Sequence, residues 1–323
     1  MILMNKRKLF IILPISVFIL LLGGINYMTW ASAHEYATFS RHHDYDLTPT
    51  DLGWIYSEVS FSSTEGISLA GWFIPSENIT GSNPENFNAT IIIVHGHDSN
   101  MGHLSVLANG TIEQGSSVLH KTGITLHNAG FNLFLFDIRN HGQSEDLGQV
   151  SLGKFESDDL LAAVDFLQSQ IQFSLDPSRI GVWAESMGGS LAIYATAKDT
   201  GGIKALITDS APADLIGPLE QKMKADGVPK FTWSFVKFWL QRELDYDIYK
   251  IRAVDVADKI DVPWLIIHGT DDDAVHHKNG EVLFEASNKS NTQLWISGNY
   301  RHVRSFFDPA YSGTIIDFFE NNL

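Results

Sequence analysis

The stretch RIGVWAESMGGSLAIYA, Arg179–Ala195, decides how the rest of the chain is read. Ile180–Ala184 is a short run of apolar residues and one glycine, the pattern of a strand covered on both faces. Gly188–Asp199 reads as a helix. Ser186 sits between them, with Ala184 two positions before it and Gly188 two positions after. One reading of these small residues is packing. The other is a sharp strand-to-helix turn, which strains the backbone of its serine and demands small neighbours on both sides. Alanine in the first place of G-x-S-x-G is a tolerable departure, because one methyl is the next smallest option. Such a turn points the serine oxygen away from the sheet. It also sets the serine at a helix start, where the positive dipole end favours developing negative charge.

A serine hydroxyl is a weak nucleophile and needs an adjacent base. Thirteen histidines compete for that role, so position must choose. The apolar runs Thr90–Val94, Phe131–Phe136, Ile180–Ala184, Ala205–Thr208, Trp264–His268 and Thr292–Ile296 alternate with helical patterns such as Asp158–Ile171. Trp54–Phe61 and Ser68–Ile74 read as a hairpin ahead of them. The alternation predicts an α/β fold with a doubly wound, mostly parallel sheet. In open α/β sheets, ligands bind beyond the carboxyl ends of the strands. His302 follows the last run and is the best-placed base. Asp271, Asp272 and Asp273 follow the run ending at His268, and Asp209 follows Ala205–Thr208. Any of these carboxylates satisfies the chain order serine, acid, histidine.

The segments VHGHDSN, DIRNHGQS, AESMGG, HGTDDDAV and GNYRH together resemble the α/β-hydrolase superfamily. They are most similar to its serine-aminopeptidase-like, monoacylglycerol-lipase-like and acyl-CoA-thioesterase-like branch, from about Val59 to the C-terminus. The resemblance implies H-G-x-x-D-x-x-V around the acid, which lies on His268–Val275 and selects Asp272. It also implies an oxyanion hole of two backbone N–H groups, those of Met187 and His97. Asp137, Arg139 and His141 match a signature taken as structural, and Glu185 and Met187 are expected to shape the pocket. HGHD at His95–Asp98 fails the register of a zinc motif, since Ser99 and Asn100 stand where ligands belong. Neither metal nor cofactor is expected.

Hydrophobic residues make up 44% and charged residues 19% of the 323 residues, an ordinary globular balance. A net charge of −16 repels phosphate backbones and argues against nucleic-acid binding. With no cysteine, thiolate catalysis and disulfides are excluded. Lys6, Arg7 and Lys8 precede the uncharged run Leu9–Ala31, long enough for a bilayer core of about 20 residues. The positive-inside rule then leaves the N-terminus in the cytoplasm and exports the body. A cleaved signal peptide, with ASA at Ala31–Ala33 as its cleavage site, is the alternative. Sequons at Asn78, Asn88, Asn109 and Asn288 are compatible with export.

Residues 1–33 are thus expected to be a basic tip and transmembrane anchor, 34–53 a linker, and 54–323 the hydrolase domain. About fifty residues between Asp209 and Val262 show no clear strand and predict a helical cap, about 211–260. Its aromatic run Phe231–Leu240 packs the cap or walls a substrate pocket. The expected activity is hydrolysis of a small-molecule acyl ester or thioester through an acyl-enzyme. A peptidase or amidase, an acyltransferase, and a catalytically silent binding module are the alternatives.

Overall fold

Apolar side chains at every position of a strand can be buried only if the sheet is covered twice. The strands are β1 (Ser57–Ser62), β2 (Ser68–Ile74), β3 (Thr90–Val94), β4 (Asn132–Phe136), β5 (Ile180–Glu185), β6 (Ile203–Asp209), β7 (Trp264–Gly269) and β8 (Thr292–Ser297); the inner strands meet that condition and the edge strands β1 and β8 do not. They form one sheet in the order β1-β2-β4-β3-β5-β6-β7-β8. β1, β2 and β4 pair antiparallel, and the pairs from β4 through β8 are parallel. The helices are α1 (Lys6–Ala37), α2 (Ile124–Asn128), α3 (Ser157–Ser169), α4 (Ser186–Lys198), α5 (Ile216–Ala225), α6 (Trp233–Leu244), α7 (Lys278–Ala286) and α8 (Tyr311–Asn322). This computed structural model describes residues 6–38, 41–76, 83–104, 118–148, 151, 153–170, 173 and 175–323. The sequons at Asn78 and Asn109 and the first five residues lie outside them, while Asn88 and Asn288 are exposed.

The chain forms two units, Met1–Phe39 with Lys222–Ile248, and Ser40–Gln221 with Tyr249–Leu323. In the larger unit, strand residues alternate between two cores. Ile92, Val94, Phe134, Phe136, Val182 and Leu206 join α3 and α4 on one face. Ile91, Ile93, Leu133, Leu135, Trp183 and Ile207 join α2 and α8 on the other. This is the period-two geometry of a strand read against two apolar layers. β8 has the sheet's edge and is only partly buried, which accounts for its polar Gln293.

The apolar runs anticipate these strands to within two residues, except at the start of β1. Trp54 and Tyr56 are not paired in the sheet. Trp54 instead packs against His127, tilted, with ring centres 4.2 Å apart, and Tyr56 meets Trp72 edge-on at 5.8 Å. Aromatic packing replaces strand pairing there. Between β6 and β7 the smaller unit contributes α6, which buries Val236, Leu240 and Leu244 and exposes Phe235 and Phe238.

The topology places a switch point at the centre. From β3 the chain proceeds to β4 on one side, whereas β5 continues to β6 on the other. Loops leaving β3 and β5 therefore diverge and leave a crevice between them. The loop after β4 is secured by Arg139, which forks onto Asp159 of α3 at 2.7–3.1 Å and reaches Glu65 at 2.7 Å. The Arg139 side chain is 6% exposed and that of Asp159 is fully enclosed. Removing Asp159 leaves the buried guanidinium only Glu65, more than half exposed, to balance its charge. Asp159→Ala is therefore expected to cost about 3–5 kcal/mol of unfolding free energy, read by urea denaturation. A loss well under 1 kcal/mol would mean that the buried pair does not hold this loop.

Candidate active site

Ser186 is the first residue of α4 and directly follows β5. Its φ is +52°, in the left-handed region that non-glycine residues avoid. The turn is forced by crowding. A methyl on Gly188 would lie 2.3 Å from the His95 carbonyl, and one on Gly189 would lie 2.6 Å from the Ala211 methyl. Ala184 is fully buried in β5, between Val94 of β3 and Thr208 of β6. The small-residue pattern around the serine is thus a packing requirement and a turn requirement together.

His302 and Asp272 reach Ser186 from two other strand ends. The Ser186 hydroxyl lies 2.9 Å from His302 Nε2. His302 Nδ1 lies 2.8 Å from Asp272 Oδ2 and 3.0 Å from its Oδ1. Asp272 is buried, and its Oδ1 accepts the N–H groups of Val275 at 2.7 Å and Ala274 at 3.0 Å. Burial alone would push its carboxyl up. Hydrogen bonds from His268 and His302, the charge of His302 and the Val275 amide outweigh it and hold the group well below the usual carboxylate range. An ionised Asp272 accepts from Nδ1, which leaves Nε2 free to accept from Ser186.

The other carboxylates are engaged elsewhere. Asp271 is exposed, and Asp273 pairs with Arg301. Asp209 is buried beneath the site, where Ser210 at 3.1 Å and Ser305 at 3.4 Å donate to it. Asp137 accepts from Tyr45 and from the Met101 and Gln143 amides, a scaffold for the loops on either side. His141 lies beside His95 and His97, with ring centres at 5.1 and 6.2 Å and the planes tilted and edge-on. His95 donates from Nδ1 to the Gly96 carbonyl at 2.7 Å and accepts the Ile138 amide on Nε2 at 3.2 Å. Burial pushes its pKa down, which keeps the ring neutral and able to do both.

That locked loop runs against the nucleophile. A methyl on Gly96 would lie 3.2 Å from Ser186 Cβ and 3.7 Å from its Oγ. His97 follows immediately, and its side chain lies 3.4 Å from Asp98. Met187 stands in the first turn of α4, where helical amides have no intrahelical acceptor. A cavity of about 510 Å3 opens on Ser186 and is lined in part by Glu185, Asn299, Arg301, His302, Arg304 and Phe307.

Three contributors escaped the sequence reading. His268, at the end of β7, donates from Nε2 to the Val275 carbonyl at 2.7 Å and lies 3.2 Å from Asp272 Oδ2. The four-residue spacing to Asp272 was its available signal. Ser210 accepts the Val303 amide at 3.1 Å and so tethers the His302 loop. Lys121 pairs with Glu185 at 2.5 Å while lying over Trp183 and Phe306. No local pattern around Lys121 marks a partner 64 residues away.

The sheet order, the strand-to-helix serine turn and the crevice beside it define an α/β-hydrolase. The profile of the prolyl oligopeptidase family matches residues 121–321, more than half of the chain, and the protein belongs to that family. It is a hydrolase of that type. Among similar proteins is the uncharacterized YqkD of Bacillus subtilis, 29% identical over 273 residues, 81% of this chain and 82% of that one. The α/β hydrolase domain-containing protein WAV2 of Arabidopsis thaliana is 25% identical over 257 residues, 77% of this chain and 72% of that one. The esterase Pf2001 of Pyrococcus furiosus superposes with a TM-score of 0.69 at 24% identity, over 88% of this chain and 98% of that chain. That likeness is one of fold.

Asp209 makes the site's foundation sensitive to pH. Burial, partly offset by the charge of Lys121, raises its pKa from 3.8 to about 6. Between those values the folded chain holds a proton that the unfolded chain has released, so this group's contribution falls as pH rises from about 4 to 6. Its slope is at most about 1.4 kcal/mol per pH unit. Asp209→Asn is expected to remove that slope in urea melts of the full chain at pH 4–7. Parallel profiles for variant and parent would show that Asp209 does not titrate in this window.

Proposed function

We propose that the protein is a serine hydrolase of small-molecule acyl esters, anchored in the membrane by α1 with its body outside the cytoplasm. The observation that carries the catalytic reading is the unbroken hydrogen-bonded series from Ser186 through His302 to Asp272. Ser186 Oγ attacks the acyl carbonyl while His302 Nε2 takes its proton. The imidazolium is stabilised by Asp272, whose hydrogen bonds keep it ionised. The developing oxyanion is received by the N–H groups of Met187 and His97, each worth about 2.7–4 kcal/mol in related sites. His302 then protonates the leaving oxygen. Water, deprotonated in turn by His302, releases the acyl group and restores Ser186.

The charged lining from Glu185, Arg301 and Arg304 favours short or polar acyl groups over long aliphatic chains. The esterase among the structural neighbours supports an ester, whereas the family match supports a second reading, peptide or amide cleavage through the same residues. Fluorophosphonate labelling and hydrolysis of p-nitrophenyl esters of graded length, beside aminoacyl arylamides, separate these readings. Labelling is expected to vanish in Ser186→Ala, and kcat to fall by about 10^6-fold. Asp272→Asn is expected to lose about 10^4-fold by admitting the wrong histidine tautomer. Activity confined to arylamides would replace the ester reading with the peptidase one. A folded parent that neither labels nor turns over would favour a binding module.

The anchor reading rests on α1, 32 residues long, whose described apolar stretch Ser16–Ala37 is long enough to cross a bilayer. The native protein is expected to stay in the membrane pellet after alkaline carbonate extraction. Soluble protein beginning near His34 would show signal cleavage instead.

A further inference from the structure

The turn that carries His302 is strained at the residue after it. Arg304 donates its amide to the Arg301 carbonyl at 3.0 Å, so His302 and Val303 are the two central residues of a turn. Val303 has a φ of +48°. A positive φ at the third position of a turn suits glycine, which has no side chain to clash. Valine, branched at Cβ, avoids that region. Backbone of this kind persists only where its surroundings overdetermine it, and it clusters at sites where geometry matters to chemistry.

What holds Val303 reaches it from the end of β6. Its amide donates to Ser210 Oγ at 3.1 Å. Ser210 Oγ in turn donates to Asp209 Oδ1 at 3.1 Å. A hydroxyl has one proton and two lone pairs. With its proton committed to Asp209, Ser210 presents lone pairs alone to Val303, so the direction of both bonds is set. Ser305 Oγ donates to the same carboxylate oxygen at 3.4 Å, from the other side of Val303 in the chain. Ser210 is itself fixed: its φ is +56°, and its amide donates to the Ile267 carbonyl of β7 at 2.9 Å. Asp209, Ser210 and Ser305 are 2, 0 and 0% exposed, so these bonds are sheltered from bulk water.

We propose that Asp209 and Ser210 are positioning residues for the base: the carboxylate directs the Ser210 hydroxyl onto the Val303 amide, and that bond holds the strained turn in which His302 Nε2 meets Ser186. The proposal rests on the hydrolase reading above. Asp272 orients the imidazole through Nδ1, whereas Asp209, at the end of the neighbouring strand, acts on the backbone that carries the imidazole. Without the tether Val303 relaxes to an ordinary backbone conformation and takes His302 with it. A misplacement of about 1 Å costs on the order of 10^2-fold in rate. Substrate affinity does not depend on proton transfer, so the loss falls on kcat.

Two measurements on the full chain test this: steady-state kinetics on the p-nitrophenyl ester or arylamide that the parent turns over best, and the low-field proton resonance of the His302 Nδ1–H bond to Asp272. Ser210→Ala removes the hydroxyl and leaves the backbone demand unchanged. It is expected to lower kcat by about 10^2-fold with KM near that of the parent, and to shift or broaden the resonance. Asp209→Asn is expected to lose less, because an amide oxygen still accepts the Ser210 proton, though more weakly than a carboxylate does. The double variant is expected to be no slower than Ser210→Ala, since both changes act through one bond. Asn86→Ala controls for general loosening. Asn86 is buried at the opposite, amino-terminal end of the strands, where it donates to the Ala129 carbonyl and to Glu320 at 2.9 Å. That variant is expected to lose stability and keep the parent's kcat. Ser210→Ala with the parent's kcat and resonance would overturn the proposal. So would an equal fall in kcat for Asn86→Ala, or losses that multiply in the double variant. A folded parent that neither labels nor hydrolyses would overturn the hydrolase reading itself, and this role with it.

Discussion

Everything at the candidate site depends on one close approach, that of the loop after β3 to the turn after β5. Ser186 holds a left-handed backbone because Gly188 lets the His95 carbonyl come within a distance that no methyl would survive. The strain at Ser186 is of the order of 1–3 kcal/mol and persists only because its surroundings overdetermine it. They do so from both sides. β5 is hydrogen-bonded into the middle of the sheet, and neutral His95 clasps its own loop to Gly96 and to Ile138. The same approach sets Gly96 against Ser186, so one packing constraint shapes both the serine turn and the loop that leads to His97.

The second constraint is electrostatic. Asp272 is a buried carboxylate, and an unsatisfied charge there would be costly. Two amides, His268 and His302 satisfy its oxygens. Because the two amides belong to the short turn after β7 and His268 lies at the end of that strand, the carboxylate is oriented before any substrate arrives. His302 inherits that orientation through Nδ1, and the Val303 tether to Ser210 keeps its loop from swinging away. Beneath this layer, Lys121, Glu185 and Asp209 form a buried charged group whose members are separated by up to 88 positions in sequence. It supports the floor of the cavity through Glu185, the residue that precedes the nucleophile.

Much of this was legible because it is local. Ile180–Ala184 followed by Ser186 and Gly188 encodes strand, turn and helix within ten residues, and the strand ends then rank the histidines by position. The acid was harder. Three consecutive aspartates all follow β7, and only the turn that buries the middle one, with its amides at Ala274 and Val275, distinguishes Asp272. Spacing alone left that open until the resemblance was applied. His268, Ser210 and Lys121 were less legible still, since each acts through a partner brought close by tertiary structure. At the start of β1, Trp54 and Tyr56 have strand-forming side chains, yet aromatic partners outcompeted a place in the sheet.

The aromatic run at Phe231–Leu240 shows why composition underdetermined one further point. A pattern rich in phenylalanine and tryptophan is compatible with a helix buried on any face. The structure divides it: on α6, Val236 and Leu240 turn inward, Phe235 and Phe238 turn outward with the Arg242 guanidinium over the Phe238 ring, and the indole of Trp239 is spent on Asn26. An apolar face that packs and an apolar face that turns outward are the same to a hydropathy count. What separates them here is the hydrogen bonding of Trp239 and Glu243, which orients the helix about its axis. Once that rotation is set, Phe235 and Phe238 face away from the side of α6 that packs.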